Sequence, residues 1–185
     1  MDIYKVKWTR LQAEIFRFLC IKSGQTLNAR TIARALKKSP TAITSSLKLL
    51  EKENLIKIKR SDTMNLLAIE FNRDNEKAIK LKRVENLKII YESNFDKYLH
   101  DSFPGSTIIL FGSYSRGEDI STYEHKSDID IAIIGAGKKQ VILESIEKIL
   151  EKKIIINFYS SFKDIHKNLK DNLLNGIVLS GSVDL

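Results

Sequence analysis

Ser106 to Ile134 reads STIILFGSYSRGEDISTYEHKSDIDIAII, two apolar runs that each carry a cluster of polar residues at one end. The first run, Thr107 to Phe111, is short, unbroken and rich in β-branched residues, the pattern of a strand buried on both faces. It closes on Gly112-Ser113. A glycine there lets the backbone approach a ligand with no Cβ in the way, and the serine can cap a helix whose free N–H groups attract phosphate. The second run, Asp128 to Ile134, sets Asp128 and Asp130 two residues apart, which on a strand puts both carboxylates on one face. Two unpaired carboxylates side by side repel, and such a pair calls for a cation; hard oxygen donors suit Mg²⁺. Two-metal phosphoryl transfer uses a bridging pair of this kind, with ions roughly 3.5–4 Å apart. Each half also has a plainer reading, a Gly-Ser turn after a strand and the solvated face of an edge strand. Their conjunction in one stretch favours a phosphate-and-metal site.

Gly112-Ser113, Arg116-Gly117-Glu118 and Ser127-Asp128-Ile129-Asp130-Ile131 together resemble the signature of minimal nucleotidyltransferases in the DNA polymerase beta superfamily. The resemblance covers the C-terminal part, residues 105–185, and implies a small mixed sheet flanked by helices. It implies Mg²⁺, expected as a two-metal site, and a nucleoside triphosphate, ATP above all, as substrate. Asp128 and Asp130 would be catalytic metal ligands, with Gly112, Ser113 and Arg116 at the nucleotide; Arg116 reads equally as a salt-bridge partner holding its loop. Members usually carry a third acidic residue on a later strand, and aligning Lys153 to Ser160 on it puts Asn157 there. Asparagine can ligate through its carbonyl oxygen but brings no charge and accepts no proton. No Asp or Glu occurs between Lys152 and Phe162. The segment before Asp128 is also longer than in compact members, the excess falling in Asp119 to Lys126; Glu118, Asp119 and Glu124 are candidate extra ligands. Such proteins resemble the antitoxin half of a two-protein module, transferring adenylate to a toxin's tyrosine. The competing implication is a regulator whose transferase domain is degenerate and serves nucleotide sensing or partner docking.

The chain of 185 residues is 43% hydrophobic with two prolines, a globular composition able to bury a core. Its single cysteine, Cys20, lies in an apolar helical stretch, which excludes an internal disulfide framework and suggests a reducing, cytoplasmic setting. MDIYKVKWTR lacks an apolar signal core, and no run approaches the roughly 20 residues that span a bilayer. His100, His125 and His166 are scattered without ligand spacing, so no zinc site is expected. Net charge is +8, and all of the excess lies in residues 1–75, with 15 Lys+Arg against 7 Asp+Glu; residues 76–185 hold 16 of each. That asymmetry suggests two modules, the basic one meeting nucleic acid.

The basic part has matching punctuation. Thr9 to Lys22 carries an apolar stripe with Thr9 as cap, Asn28 caps a shorter helix to Leu36, and Ser39-Pro40 opens a third to Glu53. That third helix turns Ile43, Leu47 and Leu50 inward and shows Thr41, Thr44, Ser45 and Lys48 outward, a face suited to phosphates and base edges or simply to solvent. Leu55 to Lys59, a polar turn over Arg60 to Asn65, and Leu66 to Phe71 read as a hairpin. The order resembles a winged helix-turn-helix, with Lys57, Lys59 and Arg60 placing charge on the wing for DNA phosphates.

Asn72 to Asn75 is the polar boundary. Glu76 to His100 reads as one long helix, its stripe packing on the second domain or pairing with a second copy of the chain as a homodimer. Then follow a strand over 107–111, a short helix over 113–117, a strand over 129–134, a helix over 138–151, a strand over 153–159 and a helix over 161–174. The expected class is α+β: a winged helix-turn-helix over 1–74, a connecting helix over 75–104 and a nucleotidyltransferase fold over 105–185.

Overall fold

A computed structural model describes residues 7–60 and 67–183. The chain forms two compact units, residues 1–82 with 120–125 and residues 83–119 with 126–185. The opening residues of MDIYKV, and the expected turn beyond Arg60 with the strand start at Leu66, lie outside the described residues.

In the first unit α1 (Arg10–Ile21), α2 (Ala29–Leu36) and α3 (Pro40–Lys52) precede a hairpin of β1 (Ile56–Arg60) and β2 (Leu67–Phe71). Each helix starts where a cap demands it. Thr9 accepts from the Gln12 N–H while Gln12 reaches back, a reciprocal box, and Asn28 and Ser39 accept from Thr31 and Ala42. Leu36 is followed by Lys37 in the left-handed region, which ends α2. The antiparallel hairpin pairs Ile58 with Ile69, and Leu27 bridges Ile69 on its far side through two backbone hydrogen bonds of 2.9 and 2.7 Å. Ile15, Leu19, Ile32, Ile43, Leu47 and Ile69 close the core, with Cys20 buried among them and in no disulfide. Three helices and a hairpin wing are the winged helix-turn-helix arrangement. Residues 120–125 also belong here: the Ser121 N–H donates to the Ser23 carbonyl at 2.7 Å.

The second unit is a mixed sheet in the order β5-β4-β3-β6. β3 (Thr107–Phe111) lies antiparallel to β4 (Ile129–Ile134) and to β6 (Ile177–Ser180), while β4 runs parallel to β5 (Ile154–Tyr159). A parallel pair needs a crossover, which α7 (Glu144–Leu150) supplies. Period-two alternation gives the sheet two cores. Ile108, Leu110, Ile129, Ile131 and Ile133 pack with Phe95, Leu99 and Ile146 on one face. Ile109, Phe111, Ala132 and Ile134 pack with Phe162, Ile165 and Leu173 on the other, Leu173 coming from α8 (Lys167–Leu174).

The structure departs from the sequence expectations in four elements. The connecting segment is two helices, α4 (Glu76–Glu92) and α5 (Phe95–Ser102), because Asn94 adopts φ 56° and breaks the run. The expected helix over 138–151 forms only from Glu144, and that over 161–174 is a 3₁₀ turn, Phe162–Asp164, followed by α8. β6 was not anticipated. No helix among the described residues is long and apolar enough to cross a membrane.

Ile131 is fully buried in the centre of the sheet. Ile131→Ala should lower stability by about 2–5 kcal/mol, since the sheet cannot close over the lost methyl groups; a urea titration followed by circular dichroism would measure it.

Candidate functional site

α6 (Gly112–Arg116) is one turn of helix that follows directly on Phe111, the last residue of β3, and ends at Gly117, φ 76°. Gly117 donates to the Tyr114 carbonyl at 3.2 Å, Glu118 donates to that of Ser113 at 2.9 Å, and the Ser115 hydroxyl donates to that of Gly112 at 2.9 Å. Gly112 has φ 74°, and a Cβ there would collide with Oδ2 of Asp130. The register explains the contact: Phe111 pairs with Asp130, so the residue after Phe111 turns across that carboxylate. Only glycine combines this backbone angle with the space Asp130 needs.

Asp130 stands on the face that carries Ala132 and Ile134, and Asp128, immediately before the strand, is near enough for its charge to act on Asp130. The 3₁₀ turn and α8 cover the far part of that face, where Phe162, Ile165 and Leu173 pack. Both aspartates are half-buried. Burial pushes the Asp130 carboxyl above the ordinary aspartate range, the charge of Asp128 pushes the same way, and the Arg116 guanidinium partly opposes them. Gly112, Arg116, Asp128 and Asp130 are therefore one electrostatic group, with Ser113 half-buried beside them. Arg116 also pairs with Glu118 at 2.7 Å, the bridge its position allowed.

β5 runs beside this group with a different chemistry. Its register sets Ile155 opposite Asp130 and Asn157 opposite Ala132, so Asn157 shares the aspartate face but lies two residues farther along. Ile155 is exposed, and among the described residues no group of three His, Cys, Asp or Glu is disposed to hold a metal. The donor set still fits Mg²⁺. That ion is held by one or two carboxylates while substrate phosphates and water complete its octahedron, and a cation would offset both the burial of the Asp130 charge and its repulsion by Asp128.

Of the proposed extra ligands, Glu118 is engaged by Arg116 and Asp119 is buried: the Asn86 amide donates to Asp119 Oδ1 at 2.8 Å, and Lys152 Nζ lies 3.1 Å from Oδ2. Lys152 and Asn86 were not singled out in the sequence. Lys152 reads there as one of the charges of Glu151-Lys152-Lys153 at a helix end, yet its side chain is 3% exposed.

In the first unit Thr41, Thr44, Ser45 and Lys48 are exposed on α3. The Thr44 and Ser45 hydroxyls donate to the carbonyls of Pro40 and Ala42, both at 3.0 Å, which leaves their oxygen lone pairs outward. Lys59 and Arg60 are exposed at the end of β1, whereas Lys57 pairs with Asp74.

Residues 92–180 match the model of a family described as "Nucleotidyltransferase domain". A comparison with curated proteins found no match. Similar solved structures include Lactococcus lactis ZitR, wild type in complex with DNA, at 26% identity and TM-score 0.40 over 56% of this chain and 67% of that one. Another is described as a zinc-responsive MarR family member, Lactococcus lactis ZitR, at 29% identity and TM-score 0.38 over 57% and 69%. The adhesin competence repressor AdcR of Streptococcus pyogenes aligns at 22% identity and TM-score 0.41 over 56% and 72%.

The raised Asp130 carboxyl makes a signed prediction. Folded Asp130 keeps its proton to higher pH than the unfolded chain does, so stability falls as pH rises from about 3.9 through the raised value. Asp130→Asn should be more stable than the natural chain at neutral pH, with the difference vanishing below about pH 4; urea midpoints across that range would reveal it.

Proposed function

We propose that the second unit binds a nucleoside triphosphate with Mg²⁺ and transfers its nucleotidyl group to an acceptor hydroxyl, and that the first unit binds DNA. The observation that carries the transferase reading is Gly112 at φ 74°, set so closely against Asp130 that a Cβ would push its carboxylate aside. A strand-to-helix turn without a Cβ, facing paired carboxylates, has the form of a cradle for phosphates on a hard cation. The match over residues 92–180 supports the same reading.

Bound Mg²⁺ would neutralise charge on the phosphates and on the oxygen that leaves. Asp128 and Asp130 would hold the cation, the backbone N–H groups at Gly112-Ser113 would bind the phosphates, and Arg116 would add positive charge beside Asp130. Reaction then depends on positioning and charge rather than on a protein nucleophile. In its narrower form the nucleotide is ATP and the acceptor a hydroxyl on a partner protein, a toxin whose operon the first unit controls.

β5 favours a second reading. With Ile155 opposite Asp130 and Asn157 beyond it, that strand offers no carboxylate to take the hydroxyl proton. A chain of this kind can bind nucleotide as a sensor without turnover, leaving DNA binding as its output.

Calorimetric titration of ATP should give binding that needs Mg²⁺, is lost in EDTA and falls at least tenfold in Asp128→Ala. Transfer of label from α-labelled ATP to a partner protein then supports the enzyme; metal-dependent binding with no transfer supports the sensor; no binding by the natural chain removes both.

Lys59 and Arg60, exposed on the wing, should each contribute a phosphate contact. Replacing either with alanine should weaken DNA binding about equally across sequences and reduce the salt slope by about 1; gel-shift titrations at several salt concentrations measure both.

A further inference from the structure

Asp128 lies just outside the strand ladder, since β4 begins at Ile129. A residue there has the freedom of a loop unless its neighbours are held. Both are held, by consecutive residues of the turn between α7 and β5. The Ile129 N–H donates to the Lys153 carbonyl at 2.8 Å, and Lys152 Nζ donates to the Ser127 carbonyl at 3.3 Å. The same ammonium pairs with Asp119 Oδ2 at 3.1 Å, their side chains only 3% and 1% exposed. Asp119 in turn accepts from the Asn86 amide, which also donates to the Tyr114 carbonyl in α6 at 2.9 Å. One buried cation thus grips both ends of the segment that separates the Gly112-Ser113 turn from the carboxylates.

We infer that Lys152 is a positioning residue for the metal site: through Ser127 it sets the direction of the Asp128 carboxylate, and through Asp119 and Asn86 it ties that direction to α6. The inference rests on the proposed metal reading of Asp128 and Asp130. Packing alone would not require a lysine, because an apolar residue of similar length fills the same space without desolvating a charge. A lysine is required when a carbonyl and a carboxylate on separate stretches must be brought to one point. Partners that orient metal ligands typically change metal affinity 10–100-fold when lost.

The sign of the effect separates positioning from charge. Removing a cation near a cation site should tighten metal binding if only Coulomb energy matters; removing the device that aims Asp128 should weaken it. The probe is Mn²⁺, a hard divalent ion whose binding is followed by electron paramagnetic resonance, with Asp128→Ala/Asp130→Ala defining the background. Three chains are compared: natural, Lys152→Met, and Asp119→Asn/Lys152→Met, which removes both charges while keeping an oxygen for Asn86. The double variant leaves net charge unchanged and removes both members of the pair together, so it should be much less destabilised than Lys152→Met alone. Its Mn²⁺ dissociation constant should nevertheless rise roughly tenfold or more. Unchanged or tighter Mn²⁺ binding in a folded double variant overturns the inference and leaves the metal reading intact. No Mn²⁺ binding by the natural chain overturns both. Should the double variant not fold, Lys152→Arg, which keeps the charge but moves the donors, is read by the same criterion.

Discussion

Repulsion between Asp128 and Asp130 is the constraint to which the second unit is fitted. Two neighbouring carboxylates, one on β4 and one just before it, with Asp130 pushed toward its protonated form by burial and by the charge of Asp128, are a cost to the fold at neutral pH. The surrounding elements hold that cost in place. β3 brings Gly112 against Asp130, where any larger residue would force the carboxylate aside. The parallel β4–β5 pair and the turn before β5 fix the entry of β4 on both sides of Asp128. The covered part of the same face, under Phe162, Ile165 and Leu173, supplies the apolar burial that offsets the strain. A destabilised pair held rigidly is what a cation binds best, since the repulsion has already been overcome before the cation arrives.

The ion pairs of the chain divide by what surrounds them. Lys57–Asp74 and Lys80–Glu76 are exposed, and pairs in water contribute about 0–1 kcal/mol. Asp119–Lys152 is buried, where losing one partner costs on the order of 3–5 kcal/mol but exchanging both for neutral groups is often harmless. Such a pair adds little net stability and much geometric definition. Its members each touch a second group, Asn86 for the carboxylate and Ser127 for the ammonium. A hydrophobic pair could fill the volume but could not select that arrangement.

The sequence was most legible where one local rule decides the outcome. Thr9, Asn28 and Ser39-Pro40 cap three helices because their side-chain oxygens meet otherwise unpaired N–H groups within a few residues. Thr107–Phe111 is a strand because a short, unbroken apolar run rich in β-branched residues has no polar helical face to present, and Ile129–Ile134 because its isoleucines recur at period two. Legibility failed where tertiary contacts decide. The apolar stripe continues on both sides of Asn94, so the break between α4 and α5 leaves no periodic signal. Lys152 carries the same charge as its exposed neighbour Lys153, and burial is a property of the fold rather than of the letter. β6 is four residues at the sheet edge, too short for a pattern to emerge.

The register of β5 shows how much a two-residue step along one face can mean for chemistry. A parallel partner aligns side chains row by row, so the row of Asp130 is completed by Ile155 and the row of Ala132 by Asn157. A carboxylate in the first of these rows would join the aspartates around a cation and accept a proton; isoleucine can do neither, and an amide one row away offers a neutral oxygen. In the proposed reading, the half of the site that would bind, built from Gly112, Asp128, Asp130 and Arg116, is thus separable from the half that would move a proton. Binding depends on charge and space already held by β3, α6 and β4, whereas proton transfer must draw on the acceptor itself or on solvent. The position of that division, between two neighbouring strands of one sheet, makes turnover rather than nucleotide binding the property on which the enzyme and sensor readings part.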